Sequence, residues 1–256
     1  MKYKKNISVI GCGKMGSIIL EAISERFPDY GIIGIETNEN TLRSLQRFTV
    51  YGTLEKVIDS DVIVIAVKPQ NIKELLNELS LILKRIDKKV LLISIAAGIK
   101  KELIEKLLNN DRIEVIRAMP NTPSSVKKGV TALSDTAALD EASREIVEKI
   151  FLAMGMIFYT DHFDAVTALS GSGPAYFFRI AEIMEEFAVK NGLTPSDART
   201  IAAETIRGSG ELMSGSELSF KELRENVTSP GGTTQAALEF FNENSFEEIL
   251  KLWLQQ

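Results

Sequence analysis

At 256 residues, with 45% hydrophobic and 25% charged side chains, the chain has room for two folded domains and a sizeable core. Its net charge of −5 argues against broad electrostatic binding to nucleic acid or an acidic membrane, and no apolar run of about 18 residues is present to span a bilayer. One cysteine, Cys12, excludes an internal disulfide and fits a reducing, cytoplasmic setting. The basic cluster Lys2, Lys4, Lys5 is followed by no signal-length apolar run before Gly11.

Short apolar strands alternate with helical stretches from Asn6 to about Thr160. Asn6 to Ile10 reads as the first strand, followed by a glycine turn and a helix through about Arg26. Gly31 to Ile35 reads as the second strand, and Asp61 to Val67 is a β-branched run suited to a strand buried on both faces. Val90 to Ile95 and Ile113 to Ala118 repeat that pattern, with helical stretches at 70–85 and 100–109. Gly129 to Leu133 and Ile157 to Thr160 are expected as later strands around a helix at about 138–154. Strand–helix alternation of this kind predicts a doubly wound parallel sheet.

After Asp161 the strand signals stop, and helices are predicted at roughly 163–190, 195–214, 219–225, 231–241 and 245–254. Asn191-Gly192 supplies a helix stop and Thr194-Pro195 a fresh start. The expected domains are therefore residues 1–160, built on a sheet, and residues 161–256, built from helices.

Gly11-Cys12-Gly13-Lys14-Met15-Gly16 comes directly after the first strand and opens a helix. In that context GxGxxG is a dinucleotide loop: the first glycine makes the turn, the second admits the pyrophosphate, and the third lets the helix pack on the sheet. Glu36, at the end of the second strand, stands where an acidic side chain usually takes the ribose hydroxyls. That favours NADH, while Thr37, Asn38 and Arg43 close by offer an offset, so NADPH and NADH both stay open. Further cofactor contacts are expected where strands end, at Ala66-Val67-Lys68-Pro69 and at Met119 and Asn121. The two prolines of Met119-Pro120-Asn121-Thr122-Pro123 stiffen that turn and should present Asn121 and Thr122 to the cleft. A solvated lysine at Lys68 and a purely structural turn at Asn121 are the plainer readings.

Val227 to Thr234 (VTSPGGTT) precedes an amphipathic run. Pro230 suits a first helical position, Thr228 or Ser229 suits an N-cap, and Gly231 and Gly232 leave bare backbone within a ligand's reach. Amides and dipole at such a helix start favour a carboxylate or phosphate. An ordinary capped helix is the plainer alternative. Elsewhere, acid–base machinery is scarce. His162, the single histidine, sits in the apparent hinge beside Asp161, Cys12 lacks a histidine partner, and no cluster has metal-ligand spacing.

These segments, together with Asp164 to Tyr176 (DAVTALSGSGPAY), resemble pyrroline-5-carboxylate reductase in order along nearly the whole chain. The resemblance implies an α/β fold, with a Rossmann-type doubly wound sheet followed by an all-α dimerisation domain. It also implies reduction of 1-pyrroline-5-carboxylate to L-proline by NADPH or NADH. On that match, amides at Gly231, Gly232 and Thr233 hold the substrate carboxylate and Ser229 contacts it. Thr234 serves the ring nitrogen as the catalytic hydroxyl, and Glu217 lies near that nitrogen. The implied assembly is a homodimer or a ring of dimers, with no nucleic-acid or membrane partner. Two features depart from the family: the chain stops at Gln256, short of a further helical stretch, and Glu36 is less suited to NADPH than neutral or basic residues. Two other readings compete. A β-hydroxyacid-type dehydrogenase would need a catalytic lysine, and the nearest, Lys190, sits at an apparent helix end. A catalytically idle dinucleotide-binding protein is opposed by the intact Thr233 and Thr234.

Overall fold

In the computed structural model the described residues are 4–254, so Lys2 of the basic cluster and the terminal Gln256 lie outside them. The chain forms two compact units, Met1–Gly171 and Ser172–Gln256.

The first unit is built on an eight-stranded sheet in the order β3-β2-β1-β4-β5-β6-β7-β8. Its strands are β1 Asn6–Ile10, β2 Gly31–Ile35, β3 Val50–Tyr51, β4 Val62–Ile65, β5 Val90–Ser94, β6 Ile113–Met119, β7 Gly129–Leu133 and β8 Gly155–Tyr159. Strands β1 to β6 run parallel. The pairing of β6 with β7 is antiparallel, whereas β7 and β8 are parallel to each other. The sheet is thus mostly parallel, with a reversal near one edge that a uniformly parallel reading does not include.

Alternate residues of each central strand feed two separate cores. Val62, Val64, Leu91, Ile93 and Ile116 join Ile19, Leu20 and Ile23 of helix α1 (Lys14–Arg26) and Ile150 and Phe151 of α5 (Glu141–Leu152). On the other face Ile63, Ile65, Leu92 and Val115 meet Leu76, Leu79 and Leu83 of α3 (Ile72–Leu83) and Ile104 of α4 (Lys101–Leu108). All four residues of β4 are buried because helices cover both faces. Each fully buried Ile or Leu stabilises the fold by about 1.5–3 kcal/mol, which fixes strand register and so the loops at the strand ends. Two short elements, β3 and α2 (Glu39–Ser44), complete the segment after β2.

Past β8 come α6 (Phe163–Val166) and a π-turn, Thr167–Gly171, so the helical stretch predicted over 163–190 is interrupted at its small residues and restarts at Gly173-Pro174. The second unit holds α7 (Gly173–Lys190), α8 (Pro195–Gly215), α9 (Phe220–Asn226), α10 (Thr233–Glu243) and α11 (Phe246–Leu254). Lys190 ends α7, and Gly192 at φ +99° comes two residues later, which fits a helix stop. Among the described residues of this unit only Gly173, Ala198 and Ala202 are buried. No helix of the described residues is long and apolar enough to cross a membrane.

Candidate active site

Strand order reverses between β1 and β4, and ligands in open α/β sheets lie at that switch point, beyond the strands' carboxyl ends. The glycine loop after β1 meets Ala66 and Val67 after β4 there. Gly11 has φ +86°, and a Cβ on it would stand 2.8 Å from Val67 Cγ1 and 2.9 Å from the Ala66 carbonyl carbon. A Cβ on Gly16 would collide with the Gly11 carbonyl, so α1 can begin this close to the loop only with glycine at that position. Nothing lies within 4 Å of a Cβ on Gly13, which faces open space. Helix α1 starts on Gly13 with no side-chain cap and no acidic residue in its first turn, leaving amides for an anion.

A cleft of about 800 Å³ opens beside this loop, within the size range of small-molecule sites. Gly11, Gly13, Glu36, Ala66, Val67 and Lys68 line it, as do Thr37, Asn38, Asn71, Glu74 and Glu78. Cys12, Lys14, Met15, Gly16, Pro69, Met119 and Asn121, also expected at the cofactor, are not on its wall. The Glu36 carboxylate is heavily engaged. Its Oε2 accepts from Cys12 N at 2.9 Å, and its Oε1 accepts from Thr37 N and Asn38 N at 2.8 Å each. Residue spacing located Glu36 but carried no sign of these amide partners.

Cys12 itself is structural. Its buried thiol donates to the carbonyls of Val9 at 3.5 Å and Ile35 at 3.6 Å. Burial, reinforced by the Glu36 charge, pushes its pKa up to about 12, so almost no thiolate forms near neutrality. Native protein at pH 8 is therefore expected to leave an aromatic disulfide reagent unreacted for hours, with one thiol appearing on unfolding. Rapid stoichiometric labelling of folded protein would contradict this.

Asn121 is buried, and its side chain does not turn outward as the sequence suggested. Its amide donates to the Ser170 carbonyl at 3.2 Å and to Ser170 Oγ at 3.0 Å, while its Oδ1 accepts from Val130 N at 2.9 Å. Pro174, four residues on from Ser170, has no N–H to give that carbonyl, and Ala175 N donates to the Ser172 carbonyl, so the Asn121 amide supplies the donor. Gly171 of the same turn lies over Met119, since a Cβ there would be 2.8 Å from Met119 Cε. The Arg117 guanidinium lies over the Phe163 ring at 4.1 Å, and its partial burial lowers its pKa. His162 precedes α6 as its N-cap residue and makes no side-chain cap bond.

In the second unit the anticipated anion-binding helix begins two residues later than expected. Ser229, Pro230, Gly231 and Gly232 form a turn in which Gly232 N donates to the Ser229 carbonyl at 3.0 Å and Gly231 has φ +69°. Proline second and a positive-φ glycine third are the marks of a type II turn, which draws Pro230 away from the first helical position. Helix α10 then starts at Thr233 with Gly232 as N-cap, no side-chain cap and no acidic residue in its first turn. Thr228 donates to the Arg224 carbonyl at 2.7 Å instead of capping α10. Among the described helices, α1 and α10 alone have glycine as N-cap, so both anticipated anion sites share one construction. Thr233 and Thr234 are exposed, and neither hydroxyl has a hydrogen-bond partner among the described residues. Ser229 and Glu217 are exposed as well.

Gln235 was missed in the sequence. Its Oε1 accepts from Gly231 N at 2.8 Å, and its Nε2 donates to Glu239 at 2.7 Å. Gln235 stands three residues after the N-cap Gly232, but its bond runs to Gly231, the residue before that cap, so no capping-box spacing announces it in the sequence.

The family model described as pyrroline-5-carboxylate reductase dimerisation matches residues 160–256. One described as NADP oxidoreductase, coenzyme F420-dependent, matches residues 6–98. The pyrroline-5-carboxylate reductase of Pseudomonas aeruginosa is 34% identical over 96% of this chain and 91% of its own length. That of Arabidopsis thaliana is 35% identical over 95% and 90%. Among solved structures, a pyrroline-5-carboxylate reductase from Coxiella burnetii superposes with a TM-score of 0.82 at 34% identity, covering 98% of this chain and 95% of that one. The pyrroline carboxylate reductase of Plasmodium falciparum, with NADP bound, gives 0.84 at 27% identity over 100% and 96%.

Proposed function

This chain belongs to the pyrroline-5-carboxylate reductase family, and from that premise we propose how its own residues divide the work of the reaction. The enzyme reduces 1-pyrroline-5-carboxylate to L-proline by hydride transfer from NADPH or NADH, a step of proline biosynthesis. A bound reduced nicotinamide supplies the hydride.

The cofactor's pyrophosphate is received by the amides of Gly13 to Gly16, with Glu36 and the Ala66–Pro69 segment on either side of it. The open space over Gly13 and the uncapped start of α1 support that assignment. Met119 contributes at the nicotinamide end. Asn121 acts behind it, holding the π-turn against β7, rather than by touching the cofactor.

At the other site the substrate carboxylate takes the amides that open α10. Gly231 N now serves Gln235 and Gly232 N serves the Ser229 carbonyl, so the amides of Thr233 and Thr234 are the immediate donors, with Gly231 joining once the Gln235 side chain gives way. The Thr234 hydroxyl donates to the ring nitrogen and steadies its proton, and Ser229 and Glu217 stand at the rim. A protonated imine is already electrophilic, so proximity and orientation carry most of the catalysis and no strong base is needed. That agrees with a site built from hydroxyls and amides.

Residues 1–160 form the cofactor domain and 161–256 the helical dimerisation domain in this reading. The observation that supports dimerisation is the near absence of a core in the second unit. Phe178 and Phe187 of α7 are 65% and 68% exposed, and Ile201 and Leu212 of α8 are exposed too. Helices with so little buried apolar surface need a second copy to pack against. A homodimer, or a ring of dimers, working in the cytoplasm is the form we assign.

The test is loss of reduced-nicotinamide absorbance on adding 1-pyrroline-5-carboxylate, run separately with NADH and NADPH. Turnover with proline as product is expected. A folded protein that turns over with neither cofactor overturns the assignment, and turnover of 3-hydroxy acids alone would point to the dehydrogenase.

A further inference from the structure

The cleft beside the glycine loop carries a charge arrangement that bears on which nicotinamide it accepts. NADPH differs from NADH by a phosphate on the adenosine 2′-oxygen, and that oxygen lies at the end of the second strand of a doubly wound sheet. Here β2 ends at Ile35, and Glu36, Thr37 and Asn38 follow it directly. The amides of Thr37 and Asn38 are the backbone donors at that point, and both already donate to Glu36 Oε1 at 2.8 Å. Its second oxygen is held by Cys12 N at 2.9 Å, from within the glycine loop. The carboxylate is therefore fastened from two sides and sits where an anion would otherwise be received.

The surrounding charge does not offset it. Glu74 and Glu78 of α3 also line the cleft, and Lys68 is the one cation on its wall among the described residues. Neither Arg43 nor Arg47 is on the cleft wall; at the exposed surface Arg43 pairs with Glu39 at 3.7 Å and Arg47 with Glu21 at 3.0 Å. Lys56 lies over the Tyr51 ring at 4.9 Å. A 2′-phosphate would enter a cleft lined by three carboxylates and one lysine, with the Thr37 and Asn38 amides already spent on Glu36. A ribose 2′-hydroxyl needs only an acceptor, and the carboxylate of Glu36 is one.

We propose that this enzyme selects NADH over NADPH, and that Glu36 sets the choice by occupying the Thr37 and Asn38 amides with its own carboxylate. The proposal rests on assigning the cleft to the cofactor, and it is tested by binding, without substrate. Calorimetric titration of the full-length protein is expected to give a Kd for NADPH about 10- to 100-fold weaker than for NADH at low salt. Raising ionic strength should narrow that gap, because the repulsion is screened. In Glu36→Gln, which keeps an acceptor oxygen and removes the charge, NADPH should bind more tightly than to wild type and the ratio should fall to within about threefold. Glu36→Ala, which frees both amides, should shift the ratio further toward NADPH.

Equal affinity for the two cofactors in the wild type would overturn the proposal. So would a folded Glu36→Gln protein that loses both cofactors in parallel, since Glu36 would then only brace the loop. Binding of neither cofactor by the wild type removes the cleft assignment and the proposal with it. Selective NADH binding without turnover of 1-pyrroline-5-carboxylate would sustain the proposal while removing the reductase reading.

Discussion

Thr234→Ala is expected to lower kcat by roughly 10- to 100-fold, the equivalent of about 1.4–2.7 kcal/mol in the barrier. A hydrogen bond to a charged or charging nitrogen has about that worth, and the loss should fall on kcat more than on cofactor affinity. The effect separates cleanly from stability. Thr234 is exposed in the first turn of α10, is not its N-cap, and its hydroxyl has no partner among the described residues. Folding should therefore change by no more than about 0.5 kcal/mol. Thr234→Ser keeps the donor and should recover most of the rate. Steady-state kinetics at saturating cofactor decide the matter: a kcat unchanged by the alanine takes Thr234 out of the mechanism.

Gly16→Ala should cost both the fold and the cofactor. Alanine in a helix gains about 1 kcal/mol in propensity over glycine, so the sign depends on what the methyl meets. Here it meets the Gly11 carbonyl, rigid backbone belonging to a residue at φ +86°, with Ala66 Cβ 3.4 Å away on the far side of the loop. Overpacking of this kind typically costs about 1–3 kcal/mol, and more where the neighbour cannot yield, so the collision outweighs the propensity gain. The expected readout is a melting temperature lower by roughly 4–10 °C together with at least about tenfold weaker dinucleotide binding. Gly13→Ala is the informative contrast. Its Cβ would meet nothing within 4 Å, so stability should hold while dinucleotide affinity falls. Equal melting temperatures for Gly16→Ala and wild type would mean that α1 is free to slide off the loop.

Much of this was legible because it depends on short-range pattern. The β-branched and aliphatic runs at Val62–Ile65 and Val90–Ser94 declare strands covered on both faces, and the glycine loop declares the uncapped helix start after β1. Features that depend on distant partners were not legible. Val50–Tyr51 is a two-residue strand that exists by pairing with Gly34 and Ile35 and has no periodicity of its own. The reversal of β7 comes from its pairing with Ala118 and Met119, which local composition does not encode. Asn121 looked like an outward turn residue because its partners, Ser170 and Val130, lie far away in the sequence or across a turn. Pro230 misled for a different reason: proline suits both the first helical position and the second position of a turn, and Gly231 after it decides for the turn. The roles drawn for the α10 amides therefore shift toward Thr233 and Thr234, and Gln235 enters beside them.

The sparse interior of the second unit has a consequence for how the molecule lives and dies. With Gly173, Ala198 and Ala202 its sole buried positions among the described residues, these helices own no private oil drop to collapse around. A second copy supplies packing that these helices lack, so unfolding is coupled to dissociation and the melting midpoint climbs with protein concentration. A freshly synthesised copy would wait, sticky and half-finished, until it encounters its twin.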